Sequence, residues 1–172
     1  MTTMEFLKFV FLIGILGLVH LNIKAQPTHD PGTEKPVFEK IIYHSSHCYG
    51  TCPKIDLEID SNLCIILKRE FWKAKGVNDR HGSGNFKGKI TPKVYFDLVA
   101  NLITCDYINL KFPPILCCDG VITTIIVYAN GKKTILESMT PPEKARKLIS
   151  FLYDLGTQLA IPLTTEEIKI EE

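Results

Sequence analysis

Cys48-Tyr49-Gly50-Thr51-Cys52-Pro53-Lys54-Ile55-Asp56-Leu57-Glu58-Ile59-Asp60 joins a two-cysteine turn to the clearest strand signal in the chain. Its second half alternates without a break, with Ile55, Leu57 and Ile59 on one side and Asp56, Glu58 and Asp60 on the other. A period of two sets one row against a core and the other toward solvent, which specifies a half-buried strand over residues 54–60. Carboxylates on a strand face stand ~7 Å apart, too spread for calcium, whose oxygen ligands converge from a loop. The acidic row therefore reads as a wet sheet face. The first half holds two thiols in a turn that exits into this strand and not into a helix.

On the N-terminal side, residues 37–44 (VFEKIIYH) are rich in β-formers and read as the first strand. Ser61-Asn62 suits a two-residue turn, with asparagine tolerating positive φ, and residues 63–68 (LCIILK) return as the hairpin partner. Lys68-Arg69 and Lys73 to Lys75 flank Glu70 and read as a solvated strand edge. Residues 76–90 are glycine-dense and polar. The spacing of Gly82, Gly84 and Gly88 misses the dinucleotide pattern and opens no helix, so this is no phosphate loop. The segment reads as a long hairpin connection that returns as a short strand near Phe86 to Ile90.

Thr91-Pro92 starts a helix, with threonine as N-cap and proline in the first turn. Tyr95, Leu98, Val99, Leu102 and Ile103 form its apolar stripe. The second half repeats the pattern. Residues 122–128 (ITTIIVY) form a strand, Ala129-Asn130-Gly131 a hairpin turn, and residues 132–137 (KKTILE) the return. Thr140-Pro141-Pro142-Glu143 reads as a capping box opening a helix to about Leu159, with Ala145, Leu148, Ile149, Leu152 and Leu155 facing inward. The sum is an α+β fold of order β-ββ(β)α-ββα, an antiparallel sheet built from hairpins with two helices packed on one face.

The N-terminus sets the expected compartment. Residues 9–21 (FVFLIGILGLVHL) are a thirteen-residue apolar run after Lys8, the length of a signal-peptide core and short of the ~20 residues of a spanning helix. Ala25 supplies a small residue before a cut that leaves Gln26 first; the alternative is an uncleaved anchor over residues 6–23. The expected divisions are a signal peptide at 1–25, a proline-rich linker at 26–36, one α+β domain at 37–160 and a C-terminal tail at 161–172. Cleavage removes Lys8, Lys24 and Glu5, taking 20 basic and 19 acidic residues to 18 of each. A neutral chain without clustered positive charge excludes nucleic acid as a partner, and no membrane span remains after cleavage.

The chain has six cysteines: Cys48, Cys52, Cys64, Cys105, Cys117 and Cys118. An even count in an exported chain favours bridges, with connectivity open. Cys64 lies in an apolar strand and reads as a buried free thiol. Cys105 ends the first helix twelve residues before Cys117, a reasonable bridge. Cys117 and Cys118 are adjacent, so at least one of them seeks a distant partner, with Cys48 or Cys52 a candidate.

The Cys48-to-Pro53 motif, the strand carrying Ile55, Leu57 and Ile59, and Cys118-Asp119 before a β-run together resemble an uncharacterised family of bacterial envelope domains. Members open with C-[FY]-G-x-C-P and carry an aspartate before a late strand. The likeness spans residues 38–159 and implies fold and export, with no activity to carry over. This chain departs from it in having Ser61-Asn62 where the family has Asp-Gly or Asn-Gly.

Three functions compete for the turn. The leading one is a non-catalytic envelope binding or interaction module that needs no cofactor and meets an envelope protein or small ligand. Here Cys48, Tyr49, Gly50, Thr51, Cys52, Pro53 and Asp119 are structural, Gly50 taking a conformation closed to other residues and Pro53 fixing the exit. The second is a copper(I) or zinc site, since C-x3-C-P also resembles the motif of thioredoxin-like copper chaperones; Cys117, Cys118, His44 or His47 would join Cys48 and Cys52. The third is a thiol oxidoreductase, opposed by the absence of a helix after Cys52. Hydrolysis finds no support, because Ser45, Ser46 and His47 are mere neighbours and no G-x-S-x-G turn exists.

Overall fold

The computed structural model describes residues 37–115 and 120–172. Strands β1 (Phe38–Ser45), β2 (Lys54–Asp60), β3 (Cys64–Ala74) and β4 (Val77–Lys89) precede helix α1 (Pro92–Cys105). Strands β5 (Thr123–Ala129) and β6 (Lys132–Ser138) follow, then a 3-10 turn (Glu143–Ala145) and helix α2 (Arg146–Gln158). All six strands join one antiparallel sheet in the order β4-β3-β2-β1-β5-β6. The α+β architecture expected from the sequence is the one observed.

One face of the sheet carries the main core. Ile41 and Tyr43 of β1 stand opposite Ile59 and Leu57 of β2, and Ile65 and Leu67 of β3 continue the layer. Leu98 and Leu102 of α1 and Leu148, Leu152 and Leu155 of α2 close over it. Each such side chain contributes roughly 1.5–3 kcal/mol on burial. Among the described residues, no helix is long and apolar enough to cross a membrane.

The α1 cap forms as expected: Val94 N–H donates to Thr91 Oγ1 at 3.3 Å, and Pro92 is the first helical residue. Ile103 departs from the expected stripe and is exposed, while Cys105 takes an inward position. The capping box at Thr140 does not form. Pro142 holds an extended backbone (φ −66, ψ 153), and the residue before a proline is itself pushed out of the helical region. Winding therefore begins later, as a 3-10 turn without a side-chain cap.

The largest difference lies in residues 69–90. The glycine-dense segment is strand β4, and with β3 it makes a long ribbon turning at Gly76, whose φ is +74°. Glycines here leave room for side chains lying across the strand. A Cβ on Gly82 would stand 2.5 Å from Phe71 Cδ2, and one on Gly84 2.7 Å from Leu163 Cδ1. Arg69, read as part of a solvated edge, points inward: Nε donates to Gly82 O at 2.9 Å, and Nη1 donates to Gly156 O and Thr157 O, both at 3.1 Å. It thus satisfies carbonyls at the α2 C-terminus, where a cation is favoured.

The β2–β3 turn is a three-residue loop over residues 61–63. Leu63, not Asn62, takes the positive φ (65°), and Asp60 Oδ1 accepts from Asn62 and Cys64 N–H at 2.8 and 2.9 Å. Cys64 is exposed, because alternation sends Ile65 and Leu67 inward. The β5–β6 turn matches expectation, with Asn130 and Gly131 both at positive φ (52° and 68°).

Residues 161–172 are a strap. Leu163 bridges Phe86 in antiparallel fashion, Lys87 N–H donates to Pro162 O at 3.2 Å, and Thr164 N–H to Asn85 O at 2.8 Å. The chain then crosses to the sheet face opposite the helices. That face holds Ile42 and Ile126, which are buried as fully as the main core.

Candidate functional site

Three arrangements combine polar and reactive groups, two of them near the β1–β2 connection and the third on β5 and β6. The first is the cysteine turn. Sγ of Cys48 and Sγ of Cys52 lie 2.05 Å apart, at disulfide distance, with Cα atoms separated by 5.5 Å. The reversal spans residues 46–53, and none of them takes a positive φ. Gly50 therefore does not occupy a glycine-only conformation; a Cβ there would meet only Cys48 Sγ, at an ordinary 3.6 Å. A reversal spread over several residues forces none of them into the left-handed region.

The base of this turn is tied to the approach to β5. Ser46 N–H donates to Ile122 O at 2.9 Å, and Ile122 N–H donates to Ser46 Oγ at 2.8 Å. On its outer side stands the projecting β3–β4 ribbon. The His47 ring meets Trp72 edge-on at 4.8 Å between centroids, and the Lys75 ammonium sits 3.5 Å over the Tyr49 ring. Tyr49 is 69% exposed, an aromatic surface held in place by a cation.

The cysteine pair is a wall between two clefts. On one side Cys48 and Tyr49, with Ser46, Lys75 and Ile122, border a cavity of about 480 Å³. On the helix side Cys52 and Pro53, with Tyr43, Thr123 and Tyr153, border one of about 440 Å³. Burial pushes the Tyr43 hydroxyl up to about 12, so it stays neutral there.

Of the other cysteines, Cys117 and Cys118 lie outside the described residues, as does Asp119, and so do the expected signal peptide and linker. Gly120 and Ile122, which follow them, border the outer cleft. Cys105, a bridge candidate from sequence, is a buried free thiol whose Sγ–H faces Leu102 O at 3.3 Å. Burial raises its pKa, which leaves the thiol protonated and unreactive.

The second arrangement is on the strapped face. His44 of β1 stands opposite Asp56 of β2, and Nδ1 lies 2.8 Å from Asp56 Oδ1. Nε2 donates to the backbone carbonyl of Glu171 at 2.8 Å. With an acceptor at each nitrogen, the ring is held as a double donor. Burial opposes its charge, but the bonds to Asp56 and to the Glu171 carbonyl outweigh that and raise its pKa. Asp56 is lowered: burial opposes ionisation, and the bond to His44 with the charges of Lys54 and Lys68 prevails. The acidic row is thus neutralised and partly covered, not wet, because β1 supplies a basic side chain to each of its first two members: His44 directly opposite Asp56, and Lys40, which stands opposite Asp60 and reaches Glu58 diagonally at 3.4 Å. His44 has no nitrogen left for a metal.

The third is the anchor of the strap. The Glu171 carboxylate accepts from Lys133 Nζ at 2.5 Å and from the Tyr128 hydroxyl at 2.5 and 2.7 Å. Lys133, then Tyr128, hold its pKa down at about 2. Sequence reading missed this cluster and the His44–Asp56 pair, since both depend on strand register. The alternation of Ile168 and Ile170 was the available signal for the strap, and both are partly buried beside Lys54 and Lys68.

Among the described residues, no group of three or more His, Cys, Asp or Glu side chains is placed to hold a metal ion. Residues 39–156 match a protein family described as "Domain of unknown function (DUF6438)". The match covers most of the chain, which belongs to this family. It includes the cysteine turn, His44 and Asp56, and stops short of the strap. No curated protein matches the chain.

Proposed function

We propose that this chain is an exported, non-catalytic binding or interaction module of the cell envelope, in which the Cys48–Cys52 bond is a structural staple. The observation that carries the reading is the cysteine pair at disulfide distance, set in a strand-to-strand turn as the wall between two clefts. A disulfide four residues long persists in an oxidising compartment, in keeping with the signal-like residues 1–25. A catalytic thiol is activated at a helix N-terminus or by a neighbouring cation, and the element after Cys52 is strand β2. The staple fixes Tyr49 and the cleft behind it as a preformed contact surface, which lowers the ordering cost of engaging an envelope protein or a small ligand.

The test combines metal content, dithiol turnover and stability of the purified protein and its Cys48→Ser and Cys52→Ser variants. The reading expects no stoichiometric copper or zinc, no turnover, and a loss of thermal stability in each variant. Stoichiometric metal lost in either variant would replace it with the thiolate-site reading. Dithiol oxidation that disappears in both variants would replace it with the oxidoreductase.

A further inference from the structure

The two edges of the sheet are treated differently. The β4 edge is covered at Asn85 to Lys87 by Pro162 to Thr164 of the strap. The β6 edge has no strand beside it among the described residues. Its seven residues, KKTILES, include an Ile135 that is 55% exposed. An uncovered strand edge presents a row of unpaired N–H and C=O groups, a template for another strand.

The turn dictates which groups face outward. Ala129 and Lys132 flank a two-residue turn and form a hydrogen-bonded pair, so Thr134 and Leu136 also bond inward to β5. Lys133, Ile135 and Glu137 then direct their backbone N–H and C=O groups away from the sheet. By alternation their side chains share one face, the strapped one.

We infer that β6 pairs antiparallel with β6 of a second copy about a two-fold axis through Ile135, joining the two sheets into one. In that register Ile135 meets Ile135 of the second copy, and Lys133 of each copy meets Glu137 of the other. Both charge pairs form, and the exposed isoleucine is covered. A shift of two residues either way sets Ile135 against Lys133 or Glu137 and loses both pairs. The sequence of the edge is thus complementary to itself, as an isologous contact requires. Lys133 also holds Glu171 of its own chain, and an ammonium with three N–H groups serves both carboxylates. One strand edge is a small interface, so the dimer belongs to the weak, micromolar class. This pairing goes beyond the proposed function and does not depend on the state of Cys48 and Cys52.

Sedimentation equilibrium of the purified protein, from micromolar to sub-millimolar concentration, tests it. A reversible monomer–dimer equilibrium is expected. Ile135→Pro removes one outward N–H while sparing the β5 ladder, and Glu137→Lys sets like charges opposite each other. Each should raise the dissociation constant about tenfold or more, with circular dichroism unchanged. An equimolar mixture of Glu137→Lys and Lys133→Glu chains should dimerise again. A monomer at every concentration, or a dimer indifferent to both Ile135→Pro and Glu137→Lys, would overturn the inference.

Discussion

His44 and Asp56 face each other across the β1–β2 ladder with Nδ1 and Oδ1 2.8 Å apart, and the other ring nitrogen holds the Glu171 carbonyl. One imidazolium therefore joins two strands to the strap, and it does so only while charged.

A pH dependence follows. The raised His44 pKa adds stability that is complete below the unfolded histidine value of about 6.5 and is lost as pH rises through the folded value. The lowered Asp56 pKa adds stability present above its ordinary value of 3.8 and lost as pH falls through the folded value. The pair is strongest between those limits. Melting temperature measured from pH 5 to 9 should fall on the alkaline side, and His44→Gln should flatten that slope and cost about 1–3 kcal/mol at pH 5.5.

Removing residues 161–172 uncovers the β4 edge at Asn85 to Lys87. Lys87 N–H, which donates to Pro162 O at 3.2 Å, should lose its hydrogen-exchange protection, while β1 amides keep theirs. Stability should drop by about 2–4 kcal/mol, since the strapped face then exposes apolar surface. Unaltered exchange at Lys87 would show that the strap is not seated in solution.

Arg69 serves three carbonyls from two elements. Arg69→Lys supplies one compact ammonium where a planar fork spans both sites, so it should recover little of the about 1–3 kcal/mol lost in Arg69→Met. Chemical denaturation of both variants compares them directly.

Gly156 sits where α2 touches β2. A Cβ there would lie 2.5 Å from Ile55 Cγ2, and Ile55 is fully buried. Gly156→Ala should destabilise by about 1–3 kcal/mol despite the better helix propensity of alanine, and adding Ile55→Val should return part of that loss.

Much of this architecture is legible in the chain. The alternation around Ile55, Leu57 and Ile59 places β2 to the residue, and Asn130-Gly131 fixes the second hairpin, because both signals are local. The β3–β4 ribbon is not legible, since glycine is ordinarily depleted in strands and its value here lies in Phe71 and Leu163 packing across Gly82 and Gly84. The same holds for Arg69, whose inward path requires the α2 carbonyls. At the site, the Cys48-to-Pro53 motif marks the turn. That Cys48 and Cys52 come to disulfide distance, and that His44 meets Asp56, depends on the register of a hairpin with an eight-residue connection, which spacing alone does not set.

The Cys48–Cys52 staple closes the turn between β1 and β2. Closing so short a loop is worth about 2 kcal/mol, so Cys52→Ser should lower stability by that order without disrupting the fold. The most direct measurement is the intact mass of the purified protein after alkylation, with and without prior reduction, followed by peptide mapping. Cys48 and Cys52 should resist alkylation until reductant is added, while exposed Cys64 reacts at once. Modification of both Cys48 and Cys52 in unreduced protein would mean that the staple does not exist in solution.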